Sequence, residues 1–456
     1  MRETKRTLMW YEFYQDANLE EYLEGMAAKG WRLEEIGLFW HYRRAEPARV
    51  RYAVTYFSES SEFNPDPTEN EETLREYCAA AGWDFVAGQH QMLIFSTSRE
   101  DAPPIETEGA VKLEAVHRAM KKNFLPGNFV LLALFGFNLV IQLRAGALHW
   151  ARFLSNGVQL GGTLMMLALA GHYASLLASY FLWYRAARRS VEQGGPCLSR
   201  RSRFAKARQM VLLAATLAVL VFLYIPAALR YGRGLMTMLL LCLCGYALVI
   251  AVVTGLRGWM KRKKVAARTN RAVSVSLSFV LVAALTVAIP MVVLRERDGG
   301  EDTKTYVTRH GSEWTLRSDP LPLKIEDLQP IEDLPWSYEL TEQWSPLATL
   351  REGKQREYED WKSLEYEILD VKVGFLYRLC LNDYVRTEEL YITRREYRAA
   401  DPEPWGAEAA YRQVLDGEER NVWVLCRGQR IVLIGFDWTP TPAQMALAGE
   451  TLLAGA

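Results

Sequence analysis

Residues 210–229 read MVLLAATLAVLVFLYIPAAL and contain no charged side chain. Four further stretches of similar length share this composition: residues 124–143, 158–184, 235–256 and 272–294. A helix needs roughly 20 apolar residues to cross about 30 Å of hydrocarbon, where its backbone N–H groups must bond internally. The sequence therefore predicts a membrane protein with a five-helix transmembrane bundle over residues 124–294.

The loops between these stretches are alternately rich and poor in Lys and Arg. Fifteen such residues follow the second and fourth stretches, and four occupy the two opposite loops: Arg144, Arg152, Arg230 and Arg233. Cytoplasmic loops of membrane proteins retain the excess of positive charge. We therefore expect a multi-pass protein of the cell membrane with a cytoplasmic N-terminus and an extracytoplasmic C-terminus.

The average composition hides this division, because 54 basic residues balance 54 acidic ones and would fit a soluble protein. Changes of composition along the chain predict two soluble domains on either side of the bundle. They are a cytoplasmic α+β domain at 1–108 and an extracytoplasmic α+β domain at 295–456, with a connecting helix or linker at 109–123. Residues 1–14 carry charge throughout, so we expect the first apolar stretch to act as the insertion signal.

The N-terminal segment contains a weak internal repeat of helix, Gly-Trp and strand. Gly30-Trp31 closes the first helical pattern and Gly82-Trp83 closes the second. Two helices on one face of an antiparallel sheet would give a ferredoxin-like domain. We interpret Trp31 and Trp83 as core anchors of the helix ends rather than as ligand platforms. We also expect this segment, cut near 99–108, to fold without help from the membrane helices.

The same segment resembles the bacterial family called domain of unknown function 2812. The residues that carry the resemblance are Phe13, Asp16, Leu23, MAAKGW at 26–31, Tyr42, the strand at 52–56, Tyr77 and AGW at 81–83. Members of that family often join this domain to several membrane spans and tend to be encoded beside PadR-type transcriptional repressors. The resemblance implies a membrane-associated regulatory role with a PadR-type regulator as a candidate partner. It brings no catalytic or binding residue.

Polar side chains are few within the predicted spans. Asn138 and His172 favour interhelical hydrogen bonds over gating, although a histidine there could also sense pH. Gly157 and Gly161 form a GxxxG pattern, which allows two helices to pack closely but is common by chance in membrane segments. A homo-oligomer is left open as an assembly of the chain. Because no span contains a charge, the pattern argues against an ion pathway.

The C-terminal segment shows strand signals, a hairpin and a well-marked helix start. Residues 421–426 and 430–438 alternate around Gly428 and predict a hairpin, and Thr441-Pro442 with Gln444 predicts a capped helix. We also expect strand structure over 364–381 and a helix over 405–415.

Cys380 and Cys426 are the two cysteines of the C-terminal segment, and both are expected on strands. The sequence leaves two alternatives open for them. They form a disulfide or they are small buried apolar residues.

Motifs of known chemistry are missing from the sequence, which has no Walker A loop, dinucleotide-binding turn, HExxH or GxSxG. The acidic segments 325–328 and 331–334 fit no calcium loop. We therefore predict no catalytic residue, no metal site, no cofactor and no direct nucleic-acid binding.

These observations favour a membrane-anchored regulatory or sensor protein without catalysis. Its extracytoplasmic domain would be coupled to a cytoplasmic domain that binds a protein partner, and the lipid bilayer is its other partner. The alternatives are a transport-associated membrane subunit and, more weakly, a small membrane enzyme.

Overall fold

The computed structural model describes most of the chain in segments. They are residues 3–7, 16–37, 39–59, 63–64, 67–89, 91–106, 108–199, 203–226, 233–297, 304–308, 311–331, 334–358, 362–390 and 393–455. The chain divides into two compact units. The first contains Met1–Phe137, Leu167–Ala215 and Leu240–Ile289. The second contains Asn138–Met166, Thr216–Leu239 and Pro290–Ala456.

The N-terminal part of the first unit consists of two β-α-β-β repeats. The first is β1 (Thr4–Thr7), α1 (Asp16–Ala28), β2 (Trp31–Glu35) and β3 (Trp40–Arg44), and the second is β4 (Arg51–Tyr56), α2 (Glu69–Ala80), β5 (Asp84–Gln89) and β6 (Met92–Thr97). Each repeat forms an antiparallel sheet, in the orders β1-β3-β2 and β4-β6-β5, and strand β2 contacts strand β5. Gly30 and Gly82 follow the helices with φ of 78° and 87°, a left-handed conformation that explains the two glycines.

The core of this domain extends beyond the predicted boundary at 108. Helix α3 (Gly109–Ala119) continues through a π-helical turn, Met120–Phe124, into the first apolar helix. Its buried Leu113 and Val116 pack in the same cluster as Leu19 and Leu23 of α1. Tyr180, Trp183 and Ala187, from a later apolar helix, complete that cluster. The expectation that this core needs no contribution from the membrane helices is therefore wrong, because α3 and a later apolar helix supply part of it.

Long apolar helices follow. They are α4 (Leu125–Leu148), the short α5 (Trp150–Ser155), α6 (Gly157–Glu192), α7 (Arg203–Val219, extended by a π-helical turn at Leu220–Tyr224), α8 (Arg233–Arg262) and α9 (Ala267–Arg297). Among the described residues, four helices are long and apolar enough to cross a membrane: Leu125–Leu148, Gly157–Glu192, Ala207–Tyr224 and Leu240–Arg262. The predicted fifth span falls in α9, which is helical but is not one of these four. The predicted end of the third span, 227–229, lies outside the described residues.

The second unit contains a large antiparallel sheet. Its C-terminal elements are β7 (Lys304–Val307), β8 (Glu313–Leu316), α10 (Ile325–Leu328), β9 (Trp336–Trp344), β10 (Ala348–Glu357), β11 (Ser363–Val371), α11 (Gly374–Val385), β12 (Glu388–Leu390), β13 (Thr393–Ala400), β14 (Ala409–Leu415), β15 (Glu418–Arg427), β16 (Arg430–Phe436) and α12 (Pro442–Leu453). Eight strands pair in the order β12-β13-β14-β15-β16-β11-β10-β9, and β7 pairs with β8 separately. We call residues 304–455 the sheet domain.

Helices cover both faces of the eight-stranded sheet. Side chains alternate between the faces along each strand, so Ile368 and Leu369 of β11 enter different apolar clusters. One cluster contains Leu452 of α12. The other contains Cys380 of α11 and Phe153 of α5, although α5 belongs to the connection between two apolar helices. The sheet domain therefore uses a piece of the membrane region to complete its core.

The secondary structure predicted for the C-terminal segment is confirmed in some places and wrong in others. The hairpin at Gly428 and the capped helix are confirmed, since Thr441 Oγ1 accepts from the Gln444 backbone N–H at 3.4 Å. The strand predicted over 364–381 ends at Val371, and a helix follows. The helix predicted over 405–415 is a 3₁₀ turn at Glu403–Trp405 and then strand β14. Both errors arose in apolar runs whose spacing fits either structure.

Candidate functional site

A cleft of about 200 Å³ lies in the second unit, between α5 and the sheet domain. Two distant chain segments form its walls. The α5 side supplies His149, Ala151 and Arg152. The sheet domain supplies Glu367, Asp383, Tyr384, Arg386, Glu388, Arg395, Tyr397 and Leu433.

The local structure explains why these side chains face one space. Glu367 alternates with buried Ile368 on β11, so it points to the face of the sheet that α5 covers. Asp383 and Tyr384 occupy the last turn of α11, and Glu388 begins the next strand. A helix end, a strand start and a strand centre therefore meet around the cleft.

Arg152 joins the two walls through carboxylates. Its Nη2 donates to Glu367 Oε1 at 2.7 Å and lies 3.3 Å from Glu352 Oε1. Tyr384 donates its hydroxyl to Glu367 Oε2 at 2.9 Å. Burial alone would lower the pKa of Arg152, but the two glutamates raise it overall. Burial raises the pKa of Tyr384 well above its ordinary value, so the phenol stays a neutral donor.

Asp383 fastens α5 to the end of α11. Its Oδ2 accepts from the Ala151 backbone N–H at 3.1 Å, and its Oδ1 lies 3.5 Å from Arg386 Nη1. Burial raises the pKa of Asp383, while the bond from Ala151 opposes that shift. Oδ1 is buried and has no hydrogen-bond partner within the described chain. Burial of this carboxylate is therefore unfavourable. The hydrogen bond from Ala151 and the ion pair with Arg386 offset part of that cost.

Glu388 binds the other two arginines of the cleft. Arg386 Nε donates to Oε1 at 2.7 Å, and Arg395 Nη2 donates to Oε2. Burial alone would raise the pKa of Glu388, but the bonds from Arg395 and Arg386 bring it below its usual range. The carboxylate is therefore ionised at neutral pH, and both guanidinium groups are fixed beside it.

The arginines lie nearer to solvent than their carboxylate partners. The side chain of Arg152 is 54% exposed, whereas that of Glu367 is 19% exposed. Arg395 and Glu388 show the same order at 36% and 20%. The guanidinium groups of Arg152 and Arg395 are therefore more accessible in the cleft than the carboxylates that they bind.

The sequence alone did not indicate this cleft, because Arg152 carried only a topology signal there. One signal was available in the loop that contains it. Arg152 lies between Trp150 and Phe153, and this aromatic pair in a short connection between spans indicates a segment that packs on protein.

The two tryptophans predicted as anchors differ in burial. Trp83 is 2% exposed in a cluster with Phe95, and its Nε1 donates to the Pro103 carbonyl at 2.7 Å. Trp31 is half-buried at the edge of the α1 core, where the Arg44 guanidinium lies 5.0 Å from its ring.

Cys380 and Cys426 lie in one apolar cluster as free, buried thiols. Cys380 is on helix α11 rather than on a strand, because the predicted strand ends earlier. Burial raises the pKa of Cys380 to about 12 and also raises that of Cys426. Neither thiol is therefore activated as a nucleophile.

Gly157 and Gly161 do not share one helix interface. A Cβ at Gly161 would lie 3.1 Å from the Tyr224 ring, so this glycine packs on another apolar helix. A Cβ at Gly157 would lie 2.7 Å from the Trp344 carbonyl, so this one packs on the end of strand β9.

Asn138 and His172 belong to different units, and both are half-buried. The Nδ1 of His172 is buried and lacks a hydrogen-bond partner within the described chain. A hydrogen bond between α4 and α6 is made one turn after Asn138, where Thr163 Oγ1 donates to Gln142 Oε1 at 2.7 Å.

The acidic segment Ile325–Leu328 is a single helical turn with structural contacts. Glu326 accepts from Tyr338 and, at 2.7 Å, from Gln355. Positions 332–333 of the second acidic segment lie outside the described residues.

Comparison with known proteins relates the N-terminal part of the chain to a protein family. No curated protein and no solved structure matches the chain. The part of the chain that matches this family extends past the predicted boundary at 108 and includes all of α3. This agrees with the core that α3 shares with α1. Residues 15–126 match the family described as "Protein of unknown function (DUF2812)", which confirms the resemblance seen in the N-terminal quarter of the sequence.

Proposed function

We propose that this chain is a membrane-anchored sensor or regulatory protein. The sheet domain responds to a small ligand in the cleft, and the N-terminal α+β domain binds a cytoplasmic protein partner. The resemblance makes a PadR-type regulator our first choice for that partner. No step of this proposal requires catalysis.

The continuity of α5 with α6 carries the proposal. Arg152 and Ala151 of α5 line the cleft, and a single residue, Asn156, separates α5 from α6. Asn156 Oδ1 accepts from the Gln159 backbone N–H at 3.0 Å and caps the start of α6. A ligand that moves α5 therefore acts directly on this helix.

The far end of the same helix is part of the N-terminal domain. Tyr180 and Trp183 of α6 are 1% and 3% exposed within the core that contains Leu19 of α1. His117 of α3 contacts the Tyr180 hydroxyl through Nδ1 at 2.6 Å. A shift of α6 would therefore change the packing of this core. The helix thus follows the cleft segment α5 at its start and contributes to the N-terminal core near its end, so it can couple the two.

The proposal includes five spans, a ferredoxin-like N-terminal domain and opposite locations for the two ends. The two loops rich in Lys and Arg lie in the same unit as the N-terminal domain. The two loops poor in Lys and Arg lie in the same unit as the sheet domain. This division and the charge pattern support the topology. A phosphatase fused after Ala456 should be active and one fused after Glu108 should be inactive. The reverse pattern would overturn the assignment.

Amide hydrogen exchange of the full-length protein in lipid nanodiscs tests the coupling. Glu367→Gln weakens the bonds from Arg152 and Tyr384 and should increase exchange in the last turns of α6. The matched control is Glu365→Gln, on the same strand and face, which affects an ion pair with Arg356 outside the cleft. Changes confined to the sheet domain in both variants would refute the proposed coupling.

A further inference from the structure

We propose that the cleft binds a small organic anion whose carboxylate or phosphate oxygens accept hydrogen bonds from the guanidinium groups of Arg152 and Arg395. The inference rests on the proposed function, because it assigns a ligand class to the same cleft. Binding itself can nevertheless be measured apart from any signalling.

The hydrogen-bonding capacity of the lining is unequal. A guanidinium group has five N–H donors, and a carboxylate has about four lone-pair sites. Arg152 uses Nη2 for its glutamate partners, and Arg395 uses Nη2 for Glu388. The Nε and Nη1 groups of these two arginines bond to no described residue. The lining therefore has unused hydrogen-bond donors, and a ligand with hydrogen-bond acceptors fits it.

The carboxylates of the cleft are already engaged. Glu367 accepts from Arg152 and Tyr384, one bond on each oxygen. Glu388 likewise accepts from Arg386 and Arg395 on separate oxygens. A cationic ligand would have to displace these arginines, whereas an anionic ligand can bind to the remaining donors of Arg152 and Arg395. The geometry therefore favours an anion.

Charge alone would not select the ligand, because three arginines face three carboxylates. Directed hydrogen bonds supply the selectivity instead, since a guanidinium fork matches the two oxygens of a carboxylate or phosphate. The recessed position of Glu367 and Glu388 also keeps their negative charge away from an entering ligand.

The size and apolar wall of the cleft limit the ligand further. Its volume of about 200 Å³ lies below the roughly 300–1,000 Å³ of pockets for drug-sized ligands. Ala151, Leu433 and the Tyr397 ring form the apolar part of the wall. A short hydrocarbon portion next to an anionic group fits this lining, so the class is a small organic anion rather than a polyanion.

Isothermal titration of the full-length protein in nanodiscs tests the inference. The probes are a panel of small mono- and dicarboxylates, including succinate, a panel of small phosphate monoesters, inorganic phosphate, and putrescine as the cation. We expect saturable binding of at least one organic anion and none of putrescine. The two organic panels show which anionic group is recognised. Failure of every organic anion, or binding of inorganic phosphate with equal affinity, would overturn the inference.

Arginine variants link binding to the cleft. Arg152→Lys keeps the charge beside Glu367 but loses the fork, and Arg395→Gln removes spare donors; each should weaken binding at least tenfold. Arg356→Gln, an ion-paired arginine outside the cleft, is the matched control and should bind as wild type. Equal affinities in all three variants would place the ligand elsewhere and refute the inference.

Hydrogen exchange with and without the bound anion separates this inference from the proposed function. Binding that leaves exchange in α6 unchanged would support the anion site and refute the sensor. Binding that changes exchange in α6 would support both.

Discussion

Truncation at the boundary suggested by the sequence should unfold the N-terminal domain. A fragment of residues 1–108 lacks Leu113, Val116 and Met120, which are 8%, 2% and 1% exposed in its core. Burial of an aliphatic side chain contributes about 1.5–3 kcal/mol, so the three together contribute on the order of 5–9 kcal/mol. A domain of this size is stable by only about 5–15 kcal/mol. The expected loss is therefore comparable with the whole stability of such a domain.

Urea unfolding followed by circular dichroism can compare fragments 1–108 and 1–126. The longer fragment retains all three side chains, although it still lacks Tyr180 and Trp183, and should keep a cooperative transition. The shorter one should show no cooperative transition. A cooperative transition at the same midpoint in both fragments would refute the shared core.

Two substitutions on α3 provide a matched test in the full-length chain. Val116 is 2% exposed and Val111 is 55% exposed, on the same helix. Val116→Ala should cost about 2 kcal/mol from lost burial and the cavity. Val111→Ala should stay within about 0.5 kcal/mol of wild type. Equal effects on thermal unfolding would contradict the burial of this face.

Three further predictions concern single residues. Trp83→Ala should lower the free energy of unfolding by about 3–5 kcal/mol, and half-buried Trp31→Ala should lower it less, as chemical denaturation would show. Burial raises the pKa of Glu20 above its ordinary 4.5, so this carboxyl contributes stability that is present at low pH and lost as the pH rises through the raised value. Glu20→Gln should therefore reduce the gain in melting temperature as the pH falls from neutral towards the ordinary pKa of 4.5, and an unchanged pH dependence would contradict the assignment. Gly449→Ala should destabilise the sheet domain by more than the ~1–3 kcal/mol typical of overpacking, because its Cβ would overlap the rigid Trp405 carbonyl oxygen. Wild-type thermal unfolding of that variant would contradict the packing.

Sequence patterns predicted the features that depend on neighbouring residues. The uncharged stretches, the glycine turn of the hairpin and the cap at Thr441 each act over a few positions, and the structure has corresponding elements. The helix–Gly-Trp repeat also corresponds to two β-α-β-β units. Such features are specified locally, so a single sequence shows them.

The features that were missed depend on distant residues. In the sequence, Tyr180 and Trp183 lie at the end of a predicted membrane span. Only tertiary packing shows that they complete the core of the N-terminal domain. Arg152 and Glu367 are 215 positions apart, and neither belongs to a motif. Arginine and glutamate in isolation predict solvated surface, so their pairing in a cleft required the fold.

The position of α5 in the core of the sheet domain imposes a delay between the synthesis of α5 and its packing. The ribosome makes Arg152 215 residues before Glu367, a delay of roughly 10–40 s at 5–20 residues per second. During that interval the apolar side chains of Phe153 and Leu154 have no sheet to cover them. The side chains of Phe153 and Leu154 therefore reach their buried positions only after the partner strands have been translated.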